Sequence, residues 1–422
     1  MSTPRTVLLA TFGSLGDLHP FIAVGIALRS RGVRVRIATS ADYRSAVEAA
    51  GLEFASMRPA LETLGDPEVV ARRLFDPMRG SERLLREIVM PRLSQQYDDL
   101  LRASEGADLL VSHTLTYTLP VIAVETRRPW LSAVLAPIGL FSAEDPPSLP
   151  GIDLLRLARR WGPWTQRLAT GAMRLAIRRL ETPLRNFRAA HGIVDDDRTV
   201  FTLEGQHSPY GTLALFDAPL ATPQPDWPSR LEFCGAALHD GALPDALVLG
   251  ELQRFLDQGE APIVFALGSA AVHIARDFWR EAIAATLAVK RRAILLTGKP
   301  IADELPEGIR AFDYLPYSRV FPQAAAIVHQ VGIGTLSLAL RAGHPQLLLP
   351  VGMDQPDNAR RAASLGVGRV LPFQRANRRT LTRELSALLD DAGATAKAKQ
   401  LAARLRPVDG ASTAAERIIA RL

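Results

Sequence analysis

The chain has 422 residues, of which 47% are hydrophobic and 22% charged, and a formal net charge of +6 at pH 7. That length exceeds what one hydrophobic core usually serves, so two domains are expected, and the composition is that of a folded protein. The single cysteine, Cys234, excludes an intramolecular disulfide. No Cys/His cluster has zinc spacing, no apolar run approaches the roughly 20 residues of a spanning helix, and the dispersed arginines come without a nucleic-acid-binding motif.

A cytoplasmic protein with no metal, no cofactor and no nucleic-acid partner is therefore expected. In chain order, the apolar start is too short for a signal-peptide core and runs straight into Gly13-Ser14-Leu15-Gly16. Thr6 to Thr11 reads as a strand, followed by a helix from Pro20 to Gly32, a strand Val33 to Thr39 and a helix ending near Gly51. Asp108 to Ser112, the helical stretch around Val121 to Glu125, and Leu131 to Ala136 continue the alternation, which marks a parallel sheet covered by helices.

From Gly151 to Ala190 the sequence becomes helical and basic. Arg156, Arg159, Arg160, Arg167, Arg174, Arg178 and Arg179 are interleaved with leucines, Trp161 and Trp164. Two readings stand: an acceptor-side helix pair with a solvated arginine face, favoured because Gly162-Pro163 breaks the helix between the tryptophans, and weak membrane-surface contact.

Pro219, Pro223, Pro225 and Pro228 crowd around Asp226-Trp227, so residues 217–235 are read as an interdomain linker. A second alternating series follows, with strands Ile263 to Leu267, Ala293 to Thr297, Ala326 to His329 and Gln346 to Pro350. The expected organisation is a first α/β domain at 1–216, the linker, a second α/β domain at 236–405, and a C-terminal helix within 406–422 that packs back on the first domain. Each half opens with a strand entering a Gly-Ser turn, Gly13-Ser14 and Gly268-Ser269, and the cleft between doubly wound domains is the expected active site.

The stretch His329-Gln330-Val331-Gly332-Ile333-Gly334-Thr335 follows a strand and opens a helix. Its glycines let main-chain N–H groups approach an anion, and a helix starting near Gly334 presents unpaired amides and a positive dipole end, which suits a diphosphate. Thr335 is expected to cap that helix. Arg341-Ala342-Gly343-His344-Pro345 and Pro350-Val351-Gly352-Met353-Asp354-Gln355-Pro356-Asp357-Asn358-Ala359 follow at the spacing of the next helix and strand.

Residues 326–360 resemble the donor-binding signature of family 1 glycosyltransferases, the group holding sterol glucosyltransferases, macrolide and glycopeptide glycosyltransferases and the rhamnolipid rhamnosyltransferase. Gly13 to Asp17, the Ser208-Pro209 to Trp227-Pro228 segment, Gly268-Ser269 and Tyr314-Leu315-Pro316 extend the resemblance over most of the chain. It implies the α/β GT-B fold of two Rossmann-like domains. It also implies that Ser269, Gly332, Gly334 and Thr335 hold the diphosphate of a nucleotide-sugar, that Tyr314 and Leu315 flank the base, and that Asp354 and Gln355 bind the sugar.

The sequence departs from the family pattern at two places. The diphosphate-binding histidine of many relatives falls at Gln330, with Val331 where glycine is common, and His329 substitutes only if the turn is rotated. Where relatives specific for a ribonucleotide often place a glutamate for the ribose 2′-hydroxyl, this chain has Leu338, which cannot accept that bond. This leans the expected donor towards dTDP-rhamnose, with UDP-glucose as the alternative.

Transfer to a hydroxyl needs a base and stabilisation of the departing diphosphate. The resemblance puts the base at Asp17, with a helix cap as the competing role, and His19 is the second candidate because its ordinary pKa lies near about 6.5. Phe12, Gly13, Ser14 and His113 are expected on the acceptor side. The acceptor-lining segments, about Met57 to Arg102 and Pro137 to Glu204, suggest an apolar small molecule such as a natural product, flavonoid or lipid. Asp195-Asp196-Asp197 is read as a solvated turn and not a metal site. A single in-line displacement inverts the anomeric centre. An epimerase of the same fold and a non-catalytic auxiliary subunit are the readings of other classes.

Overall fold

Strands such as β1 (Thr6–Ala10) and β4 (Leu109–His113) are apolar almost throughout and buried at every position, as strands of a parallel sheet with helices on both faces must be. The protein is described here by a computed structural model over residues 4–148, 161–196, 199–299 and 304–422. The chain divides into two units, Met1–His239 together with Asp409–Leu422, and Asp240–Val408.

The first unit adds β2 (Arg34–Thr39), β3 (Glu53–Ser56), β5 (Trp130–Val134), β6 (Thr212–Ala214) and β7 (Leu231–Phe233) in the order β3-β2-β1-β4-β5-β6-β7. All neighbours are parallel, with Leu8 opposite Leu110 and Ala10 opposite Ser112 where β1 meets β4. The second unit has β8 (Ile263–Ala266), β9 (Ala293–Leu296), β10 (Ile309–Phe312), β11 (Ala326–His329), β12 (Gln346–Leu348) and β13 (Gly368–Val370), ordered β10-β9-β8-β11-β12-β13 and again all parallel. Strand order therefore reverses between β1 and β4 in one unit and between β8 and β11 in the other, the positions where doubly wound sheets bind ligands at their carboxyl ends.

Three expectations are corrected. The proline-rich segment is not an interdomain linker. Leu220, Ala221 and Trp227 are buried, the Asp226 carboxylate accepts the Ala143 N–H at 2.7 Å, and Leu231–Phe233 is the seventh strand of the first sheet, so the chain passes to the second unit only after His239. Prolines exclude regular hydrogen bonding but not packing, and apolar side chains between them pin the loop. The first helix begins at Leu15, not Pro20, because Ser14 and Asp17 form a capping box that starts it five residues earlier and leaves Pro20 inside. In the second sheet the short strands β10 and β13 were not anticipated.

Asp195 is no solvated turn residue: its carboxylate meets Arg188 at 2.6 to 2.9 Å, and Arg188 lies 4.0 Å over the Phe201 ring. Asp197, Arg156, Arg159 and Arg160 lie outside the described residues. Among the described residues no helix is long and apolar enough to cross a membrane.

The C-terminal helix Gly410–Ile419 packs on Leu15–Arg29 of the first unit, with Arg31 meeting Glu416 at 3.5 Å and Arg417 meeting Glu232 at 3.0 Å. Its first residue must be glycine, since a Cβ there would stand 2.3 Å from the Gly235 carbonyl oxygen and 2.5 Å from that of Ala236. Gly410→Ala is expected to destabilise the protein by about 1–3 kcal/mol through overpacking. The urea midpoint should fall with an unchanged m value, and an unchanged midpoint would mean the helix is not seated there.

Candidate active site

In the first unit the site grows from the end of β1. Ser14 is the N-cap of Leu15–Arg29, its hydroxyl accepting from Gly16 N at 3.2 Å, and Asp17 Oδ2 accepts from Ser14 N at 2.7 Å and Ser14 Oγ at 3.1 Å. Asp17 Oδ1 lies 3.7 Å from His113 Nε2, at the end of the adjacent β4. The two carboxylate oxygens thus have separate duties: Oδ2 starts the helix, and Oδ1 is left for chemistry on a side chain that is 31% exposed. Cap and base are compatible roles for Asp17.

Gly13 makes this possible. Its φ is +140°, and a Cβ there would fall 2.2 Å from Asp17 Oδ2. Its carbonyl accepts the Tyr43 hydroxyl at 3.2 Å.

His113 is buried behind Asp17, its ring edge-on to Phe21 at 5.9 Å. Burial pushes its pKa down more than the Asp17 carboxylate and the Phe12 main chain push it up, so it is a neutral imidazole beside Asp17 rather than an acceptor contact. Phe12 is likewise removed from the acceptor side, because its side chain belongs to the hydrophobic core with Leu8, Leu110 and Leu119. His19 follows Asp17 by two residues, about 200° round the helix, and packs edge-on against His239 at 5.3 Å. Asp17 and His19 therefore face different sides. Two surface clefts of this unit, about 630 Å³ beside Arg36 and Arg58 and about 270 Å³ beside His207 and Trp227, include none of Asp17, His19 or His113 in their walls.

In the second unit β11 leads into Gln330-Val331-Gly332, and Gly332 is the N-cap of the helix Ile333–Ala342 with no side-chain cap. Its first-turn N–H groups have no acceptor within the helix, which leaves an open anion site. Thr335 is inside the first turn and does not cap. Nearby, loss of solvation raises the pKa of the Tyr317 hydroxyl to about 12 against the opposing pull of the Gly268 main chain and the Thr335 hydroxyl. Tyr317 is a site residue the sequence did not single out, three positions beyond Tyr314.

Gly268, at the end of β8 with φ +68°, has Gln330 against it: a Cβ at Gly268 would lie 2.1 Å from Gln330 Nε2. Gln330 is 6% exposed and its Oε1 is buried without a hydrogen-bond partner among the described residues. Ser269 follows on the short helix Gly268–Ala271, but its side chain lies outside the described residues.

Two expected ligands turn inward. His329 is fully buried, with Nε2 3.0 Å from Gln346 Oε1 and Nδ1 accepting the Val331 N–H at 3.2 Å, and burial lowers its pKa to about 4. Both nitrogens are used, so it holds the turn and does not touch phosphate. Leu315 is fully buried in the second unit's core, which leaves the 42% exposed Tyr314 ring as the side chain able to flank a base.

Asp354 precedes the helix Gln355–Ser364 but does not cap it, and its Oδ2 accepts from Asn358 Nδ2 at 2.7 Å. Gln355 Oε1 accepts from Val351 N at 2.9 Å and Gly352 N at 3.3 Å, so only its NH₂ end remains for a sugar hydroxyl. Asn358, present in the motif but given no role by it, also donates to the Val331 carbonyl at 3.0 Å and so joins the Gln330-Val331-Gly332 turn to the Asp354 carboxylate. Val331 and Met353 have φ of +68° and +60°, the left-handed region that side chains rarely enter.

Two parallel doubly wound units, one with a carboxylate at its strand reversal and the other with an open helix N-terminus, define the GT-B class of glycosyltransferase. The comparisons agree. The Glycosyltransferase family 28 N-terminal domain matches residues 7–89, and the erythromycin biosynthesis protein CIII-like C-terminal domain matches residues 286–412. The chain is 31% identical over 97% of its length, and 94% of the relative's, to the O-mycaminosyltylonolide 6-deoxyallosyltransferase of Streptomyces fradiae. It is 30% identical to the vancomycin aglycone glucosyltransferase of Amycolatopsis orientalis, over 86% of this chain and 84% of that one. The structure aligns with that of the calicheamicin glycosyltransferase CalG4 at a TM-score of 0.72 and 18% identity, covering 100% of this chain and 98% of the other. The chain belongs to the family 1 glycosyltransferases and is an enzyme of that class.

At Gly334 a Cβ would meet nothing within 4 Å, so the protein itself does not need glycine there. Gly334→Ala is expected to leave stability unchanged or raise it by up to about 1 kcal/mol, from helix propensity. The methyl would occupy ligand space and weaken nucleoside diphosphate binding by about tenfold or more. Thermal unfolding and calorimetric titration of the same variant check both halves, and unimpaired binding would remove the diphosphate from this helix end.

Proposed function

We propose that the enzyme is an inverting, metal-independent glycosyltransferase that moves a 6-deoxyhexose, rhamnose in the first instance, from a dTDP donor to a hydroxyl of a hydrophobic small molecule. The observation that carries the nucleotide choice is Leu338. It sits on the helix Ile333–Ala342 and packs against the second unit's core, so it offers no acceptor to a ribose 2′-hydroxyl. The name of the Streptomyces relative supports a 6-deoxy sugar and a large natural-product acceptor. A UDP-glucose donor is the second reading, favoured by the relative named as a glucosyltransferase.

In the proposed reaction Asp17 Oδ1 takes the proton of the acceptor hydroxyl as its oxygen attacks the anomeric carbon. The bond from that carbon to the β-phosphate oxygen breaks, and its electron pair leaves with the diphosphate. The N–H groups at Gly332–Thr335 stabilise that developing charge through fixed dipoles that need no reorganisation. Attack opposite the leaving group inverts the configuration. Asp354 and the Gln355 NH₂ group hold sugar hydroxyls.

Asp17→Asn keeps an oxygen for the Ser14 cap and removes the base. It is expected to lower kcat by about 10² to 10⁴-fold with little change in stability. An undiminished kcat would pass the role to His19. Calorimetric titration without added metal should show dTDP binding tighter than UDP, and Leu338→Glu should move the preference towards UDP by about tenfold through one hydrogen bond to a charged acceptor. Equal or tighter UDP binding by the unaltered protein would put UDP-glucose first.

A further inference from the structure

The helix Pro163–Leu180 carries an apolar stripe on its solvent side in addition to the half-buried Met173, Ile177 and Leu180 on the opposite side. Trp164, Leu168, Gly171 and Leu175 recur at helical spacing on one stripe, and with Trp161 just before it they point outward: Trp161 and Trp164 are each 73% exposed, Leu168 61% and Leu175 54%. Three polar side chains off the stripe are engaged. Thr165 Oγ1 donates to the Gly162 carbonyl at 2.8 Å, Gln166 Nε2 to the Ala143 carbonyl, and Arg174 pairs with Glu204.

Charge identifies what covers the stripe. Between Trp161 and Leu180 there are four arginines, Arg167, Arg174, Arg178 and Arg179, and no aspartate or glutamate. Arg167 and Arg179 are exposed, one towards each end of the stripe. A second copy of the chain docking through this face by a two-fold axis would bring like charges together in a drying interface. An anionic bilayer surface offers the complement: acyl chains for the leucines, the headgroup layer for the tryptophans, and negative potential for the arginines. Eighteen residues at this charge density lie on a membrane and do not span it.

We infer that Trp161 and the outward face of Pro163–Leu180 form a docking surface for anionic membrane, which holds the enzyme where an apolar acceptor partitions. The inference is independent of the donor assignment and survives its failure.

The test is co-sedimentation of the full-length protein with vesicles of phosphatidylcholine alone and with about a third phosphatidylglycerol, at low and at high salt. The expected result is binding to the anionic vesicles only, lost at about 1 M salt where the Debye length falls to about 3 Å. Arg167→Gln with Arg179→Gln should reduce partition by about twenty-fivefold, at about fivefold for each basic residue near an anionic surface. Trp164→Ser with Leu168→Ser should abolish it. All four side chains are exposed, so circular dichroism should remain that of the unaltered protein. Binding to neutral vesicles as strong as to anionic ones, no binding to either, or variants that bind like the parent would each overturn the proposal. A change of solution mass in the Trp164→Ser, Leu168→Ser variant without a change in vesicle binding would assign the face to a protein contact instead.

Discussion

In an all-parallel sheet covered by helices on both faces, the chain turns from strand to helix at the carboxyl ends, and at the reversal of strand order the two neighbouring helices depart to opposite faces and leave a gap. Both units place their candidate site residues at that gap. In the first, Asp17 in the helix that follows β1 lies 3.7 Å from His113 at the end of β4; in the second, Gly268 and Gln330, just beyond β8 and β11, lie against each other. The same geometry produces different chemistry because of the residue that starts each helix. Ser14 closes the first N-terminus with a side chain and recruits Asp17 to do so, whereas Gly332 leaves the second open to an anion.

Among its described residues the second unit holds three side-chain-bearing residues in left-handed conformations, Lys290, Val331 and Met353, and the surroundings over-determine at least one. Left-handed backbone disfavours a β-branched residue by about 1–2 kcal/mol, while complete burial of a valine side chain is worth about 1.5–3 kcal/mol. Val331 is fully buried, its N–H is held by His329 and its carbonyl by Asn358, so the turn keeps its shape where relatives use glycine. Because Asn358 also grips Asp354, the turn proposed to receive the diphosphate and the loop proposed to receive the sugar are fixed by one amide.

Much of this was legible in the sequence, and the exceptions have physical reasons. Apolar strands alternating with helices gave two doubly wound sheets, and the glycine turns at Gly13, Gly268 and Gly332 marked both strand reversals. Side-chain direction was not legible. A strand-end residue faces either the ligand or the core according to pleat and turn, and for Phe12, Leu315 and His329 the core won, with Gln346 supplying a hydrogen-bond partner 17 positions away that no local pattern reveals. Tyr317 was missed because its partners, Gly268 and Thr335, are distant in the chain. The proline-rich segment misled because composition reports what a loop cannot form, not what it packs against.

The protonation states of His329 and Tyr317 also bear on the stabilisation proposed for the diphosphate. Burial keeps the imidazole neutral down to about pH 4 and the phenol neutral up to about pH 12, and the position where many relatives carry a histidine is the uncharged Gln330. No imidazolium is therefore present there, and in the proposed reaction the stabilisation of the leaving group falls on the helix N-terminus. Fixed dipoles act over the first turn only and are strongest where water is excluded. The proposed site demands close placement of the phosphate, which the Val331–Asn358–Asp354 chain of contacts favours.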